Sequence, residues 1–119
     1  MSTVKLINPT DDELSAAVAE NVAGYKNVMC IMHPHCLVVD RLDAPGLRMR
    51  IPHYSTSADA VLPLLEKAGY VNVNLNPFTK VWTVSVLNGK EYVGISLYFP
   101  RAACIALLRA NGIEVEATP

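Results

Sequence analysis

Between Tyr70 and Phe99 the chain alternates apolar and polar residues almost without a break, and no other feature limits its fold so closely. In YVNVNLN, Val71, Val73 and Leu75 fall on one side of an extended backbone and asparagines on the other. In KVWTVSVL, Trp82, Val84 and Val86 oppose Val81, Thr83, Ser85 and Leu87. A period of two is that of a strand with one buried face. NPFT supplies one turn. Asn88-Gly89 supplies the next, being the preferred pair for a type I′ hairpin, in which both central residues need positive φ. EYVGISLYF returns as the partner strand, so the spacing predicts a three-stranded antiparallel meander.

Helices surround this pattern. Thr10 and Glu13 have capping-box spacing, and Asp11 and Asp12 favour the positive end of a helix dipole. Leu14, Ala17, Val18 and Val22 then form an apolar face that Gly24 is placed to end. A second helix begins within YSTSADA, where Ser55, Thr56 and Ser57 are all competent caps, and runs through AVLPLLEKA to Gly69. An interior proline removes a hydrogen bond and costs about 3 kcal/mol, so a kink is expected at Pro63, or a helix that starts only just before it. The third helix, RAACIALLRANG, has Pro100 in its first turn and Gly112 at its close.

The span between the first two helices is less regular. NVMCIM, CLVVD and LRMRI read as short strands. HPH reads as a turn, because Pro34 offers the ladder no donor, and DRLDAPG as a loop. IEVEATP reads as a short extended tail. The order of elements is that of an α+β protein. Three apolar helices exceed what one face of a small sheet can cover, so the expected architecture is an α/β/α sandwich. Its central sheet is mainly antiparallel, flanked by the three helices in a single domain over residues 1–119.

With 51% apolar and 18% charged residues in a chain of 119, the composition is that of a globular domain able to bury a core. A net charge of -1 argues against a nucleic-acid-coating role, which needs clustered Lys and Arg. The N-terminal stretch MSTVKLINPTDD has no apolar run of signal-peptide length, and no later segment approaches the roughly 20 residues that span a bilayer, so no membrane partner is expected. Three cysteines fit a reducing compartment better than a disulfide framework.

The opening helix ending AENVAGYK, the segment IPHYSTSADAVLPLLEKAG, and the Trp82 strand with its hairpin and the helix PRAACIALLRANG together resemble the phage ABA-sandwich domain family. The stretch from Cys30 to Gly46 departs from that pattern. The resemblance implies an α/β/α fold and a phage or prophage origin, and hence the bacterial host cytoplasm. It implies no activity and carries over no site.

Two stretches are candidate sites. In RMRIPHYSTS, Arg48 and Arg50 project from one strand face, and His53, Tyr54, Ser55 and Thr56 lead into a helix N-terminus. Unpaired N–H groups there, with arginine forks, suit a phosphate or carboxylate. Capping alone would also select that serine-rich string. In CIMHPHC, Cys30, His33, His35 and Cys36 are all competent metal ligands. Yet structural zinc sites draw ligand pairs from separated segments, and apolar cysteines are usually core. Cys104 reads as packing. Arg101 is a weaker addition to an anion site. Trp82, Tyr92 and Tyr98 are a stacking platform or, in preference, core.

No Ser/His/Asp arrangement, Walker loop or dinucleotide fingerprint is present. The expectation is therefore a non-enzymatic protein with no cofactor, acting by protein binding to a host protein, a phage protein or a second copy of itself. The alternatives are a binder of a nucleotide or other small anionic ligand, and a metal protein centred on Cys30 to Cys36.

Overall fold

The computed structural model describes residues 5–25, 28–32, 35–40 and 48–117, the strand segments at 29–32, 35–40 and 48–49 by backbone alone. The elements are β1 (Lys5–Ile7), α1 (Asp11–Asn21), β2 (Met29–Met32), β3 (His35–Asp40), β4 (Arg48–Arg50), α2 (Ala58–Lys67), β5 (Tyr70–Leu75), β6 (Trp82–Asn88), β7 (Lys90–Ser96), α3 (Phe99–Ala110) and β8 (Glu114–Glu116). The class is α+β, with three helices and mainly antiparallel strands. Antiparallel sheets form in the orders β2-β3-β4 and β5-β6-β7, and β1 pairs with β8 in parallel.

The alternation fixes the meander. Val73 stands opposite Val84 and Val71 opposite Val86, so one face gathers valines while Asn72 meets Ser85 on the other. The turn after β5 is closed by Asn76, whose side-chain oxygen accepts from the Phe78 and Thr79 amides at 2.9 and 3.2 Å. The second turn differs from the expected type I′ pair. The ladder runs on to Asn88 opposite Lys90, and Gly89 alone takes a positive φ, of 77°. The chain reverses about that glycine, so Asn88 stays in the strand.

Helix α3 occupies the centre. Its residues Ala102 to Leu108 are all buried, and a helix apolar all round needs partners all round. It lies on β6 and β7 on one side and receives α1 and α2 on others. The two-sided cover expected of the meander is therefore not met among the described residues. An α3 apolar all round takes the other helices onto itself and leaves the far face of the sheet open. One helix sits directly on the meander, and the other two sit on that helix. Gly94 makes the contact possible, because a Cβ there would run into the Ala102 carbonyl and lie 2.6 Å from the Ala106 nitrogen. Small residues at 102, 103 and 106 bring the helix that close. Leu14 and Val18 of α1, Val61 and Leu65 of α2, Val84 and Val86 of β6, and Val115 of β8 complete one core with it.

The helix starts follow local chemistry. Thr10 and Glu13 form the full capping box, at 3.1 and 3.2 Å. Ser57 caps α2, accepting from the Ala60 amide. Of the two Pro63 expectations the late start is not met: α2 is helical from Ala58 through Lys67 with Pro63 inside. Proline at that position withholds a donor from the Asp59 carbonyl, and both residues lie on the exposed side of the helix. Among the described residues no helix is long and apolar enough to cross a membrane.

Candidate functional site

The segment RMRIPHYSTS proves to be a joint between layers. Arg48 and Arg50 lie on β4, which pairs with β3, and Arg50 is exposed. Ile51 and Tyr54 are buried in the core. Burial, and then the neighbouring Tyr25, pushes the Tyr54 hydroxyl above its ordinary range. Ser55 is buried as well. Its hydroxyl donates to the Asp11 carbonyl at 2.8 Å, and its amide donates to Ser15 Oγ at 3.1 Å. Thr56 Oγ1 donates to the His53 carbonyl at 3.3 Å, closing the turn. His53 Nδ1 stands 3.8 Å from Asp12 Oδ1, a charged contact only when the imidazole is protonated.

The starts of the three helices meet here. Arg101, in the first turn of α3, donates to Asp11 Oδ1 at 3.1 Å and to the Pro9 carbonyl at 2.6 Å. A cavity of about 290 Å³ opens beside them, lined by Asp11, Ser55, Thr56, Tyr98 and Pro100. The structure thus brings Ser55 and Thr56 to a cavity and places Arg101 beside it. Arg101 is already engaged, however, by the Asp11 carboxylate and the Pro9 carbonyl, so its guanidinium is not held open for an anion. Both hydroxyls at the cavity already donate to backbone carbonyls of the chain.

In CIMHPHC the backbone pairs Cys30 with Leu37 and Cys36 with Ile31. The two cysteines stand on adjacent rungs of one ladder, and adjacent rungs alternate between the faces of the pleat. His33 and Pro34 lie outside the described residues, as do the side chains of Cys30, His35 and Cys36. Elsewhere among the described residues, no group of three His, Cys, Asp or Glu is placed to hold a metal ion. Cys104 is a buried core residue of α3, and burial pushes its thiol far above the ordinary range.

Trp82 packs against Phe99 of α3, with ring centres 5.4 Å apart and planes tilted by 57°. That is the core use anticipated for it. Tyr92 is half-buried on the same face, and Tyr98 is exposed.

A surface that residue-by-residue reading passed over is the face of the meander turned away from α3. Its rows are Tyr70, Leu87 and Glu91; Asn72, Ser85 and Val93; and Asn74, Thr83 and Ile95. Tyr70 is 70% exposed, with Leu87 and Ile95 near 40%. Glu91 is the only charged residue on it. Phe78, at the tip of the β5–β6 turn, is 93% exposed. Among the described residues, the exposed large apolar side chains other than Ile7 and Leu62 lie between Tyr70 and Tyr98. The signal was present in the sequence as the lack of Lys, Arg and Asp on the polar side of the alternation.

No family model matches the chain, and a search of curated proteins finds no match. Among solved structures the chain is similar to a phage protein from Bacillus cereus ATCC 14579, with a TM-score of 0.75 at 20% identity over 91% of this chain and 93% of that one. At that identity the likeness establishes shared architecture. The chain has the fold of a phage protein.

Proposed function

We propose that this chain is a phage or prophage accessory protein of the ABA-sandwich kind. In this reading it is non-enzymatic and binds a host or phage protein in the bacterial cytoplasm through the open face of its meander. The observation that carries this is the makeup of that face. A solvated sheet face is ordinarily dressed in Lys, Glu, Arg and Thr; this one carries Tyr, Leu, Val, Ile, Ser, Thr and Asn around a single Glu. Charge depletion with aromatic and aliphatic enrichment marks the core of protein interfaces. Phe78, held out by the Asn76 turn, has the shape of an interface anchor. The fold likeness to a phage protein supports the setting.

The competing reading, a small anionic ligand held by Arg48, Arg50, His53 and the Ser55–Thr56 turn, has less in its favour. Tyr54 and Ser55 are buried and spent on the core, and Asp11 lines the adjoining cavity. A photo-crosslinking residue at Ile95, in cells carrying the phage, separates the two readings. Protein binding predicts a discrete adduct from Ile95 and none from the same probe at Glu66 on α2. Equal labelling from both positions, or none from Ile95 together with thermal stabilisation by nucleotides, contradicts the proposal.

A further inference from the structure

We infer that two copies of the chain join through the free edge of β5, antiparallel about a two-fold axis normal to the sheet, to make one six-stranded layer. The inference rests on reading the meander as a binding surface and assigns its edge a partner of its own. Three observations carry it.

Among the described residues the edge is unguarded. β5 is an outer strand of the order β5-β6-β7 and pairs with β6 over six unbroken positions, Tyr70 to Leu75. It has no bulge, no proline and no charged side chain, the usual devices that keep exposed strands from pairing. The opposite edge is treated differently. Arg109 donates to the Val93 carbonyl on β7 and to the Val115 carbonyl on β8, tying the two strands together.

The helix cover is off-centre. α3 lies over β6 and β7, where Val84 and Val86 are 0% exposed. On the same face of β5, Val73 and Leu75 remain 43% and 39% exposed. The apolar stripe therefore runs out from under the helix to the free edge and stops there uncovered.

The edge is self-complementary. A two-fold axis normal to a sheet keeps the same face upward in both copies, so facing residues must share a face of the pleat. Centring the axis on Val73 sets Val73 against Val73, Val71 against Leu75, and Asn72 against Asn74. Every pair on the helix side is then apolar, and every pair on the open side is Asn with Asn. No charge faces its like. The two exposed stripes become the seam between two α3 helices, and the open, uncharged face doubles in width.

Sedimentation equilibrium over a range of protein concentrations tests this, with folding checked by circular dichroism. The wild-type chain should approach twice its monomer mass. Val73→Lys and Val73→Glu should each sediment as monomers, because residue 73 faces its own copy. An equimolar mixture of the two should recover the dimer. Ile95→Lys, on the open face, should leave the dimer intact. A wild-type monomer at every concentration overturns the inference and needs no variant to do so. A dimer that both Val73 variants retain, or one lost in Ile95→Lys alone, overturns it too. An adduct at Ile95 alongside a wild-type monomer would sink self-pairing and leave the binding surface standing.

Discussion

Ser15 and Ser55, forty residues apart in the chain, bring their hydroxyls to 2.9 Å in the interior. The donors can be assigned by elimination. Ser55 gives its proton to the Asp11 carbonyl, so Ser15 must donate to Ser55 Oγ while accepting from the Ser55 amide. Both buried hydroxyls are satisfied, and the turn ahead of α2 is sewn to the first turn of α1. A serine string that resembles a ligand-binding helix entrance is here a structural tie, with capping left to Ser57.

Ser55→Ala should destabilise the protein by about 1–3 kcal/mol, the cost of stranding buried hydrogen-bonding groups. Ser15→Ala should cost a similar amount by leaving the Ser55 amide without an acceptor. Because the two share one network, the double variant should lose less than the sum. Urea unfolding of the three variants measures this. Additive losses would mean that the contact is not a working bond.

Gly94→Ala should be the most damaging single-methyl change in the sheet. The new Cβ would meet backbone atoms of Ala102 and Ala106, which cannot rotate aside. Overpacking against rigid neighbours costs about 1–3 kcal/mol and sometimes more, and the upper end is expected. Gly89→Ala meets no atom within 4 Å. Its penalty comes from positive φ alone and should be about 1 kcal/mol. Thermal unfolding of the pair should rank Gly94→Ala well below Gly89→Ala; the reverse order would place α3 wrongly.

Arg101→Met keeps the side-chain bulk and removes two charge-assisted bonds that hold the start of α1 to the start of α3. A loss of about 1–3 kcal/mol is expected, most of it from the Pro9 carbonyl, since the Asp11 carboxylate is half in solvent. Asp11→Asn should therefore cost clearly less than Arg101→Met in denaturant titrations. Equal losses would mean that the ion pair carries the joint.

Cys104 should resist alkylation in the folded protein and react fully once unfolded, as read by peptide-resolved mass spectrometry. Burial raises its folded pKa, so the unfolded chain gives up the thiol proton first as pH climbs. Its contribution to stability is whole below about 8.5, the ordinary thiol value, and declines above it. Tyr54 acts in the same direction nearer pH 10. Cys104→Ala should flatten the decline between those limits. Rapid labelling of Cys104 in the native state would contradict its place at the centre of the fold.

The meander was legible because period two survives in sequence wherever one face is buried. Val84, Val86 and their cross-strand partners fall where the alternation puts them. The capping box was legible for a related reason, since both of its bonds lie within four residues. Long-range placement was not. Gly94 looks like any glycine in a strand until α3 crosses it, and Ser15 looks like a solvent-facing helix residue until Ser55 arrives. The hairpin misled because Asn-Gly has a strong local preference, while the ladder carried pairing one residue further. The string from Arg48 to Thr56 is ambiguous in another way. Capping, burial and ligand binding select the same residue types, and only coordinates show which of them Ser55 serves.

The open face of the meander is the centre of this account, and side-chain footprinting with hydroxyl radicals tests it most directly. The complex is captured from host cells and compared with the purified protein. Tyr70, Leu87 and Ile95 should lose reactivity in the complex, while Leu62 on α2 and Ile7 on β1 keep theirs. Unchanged reactivity at those three residues, with protection of α2 instead, would contradict it.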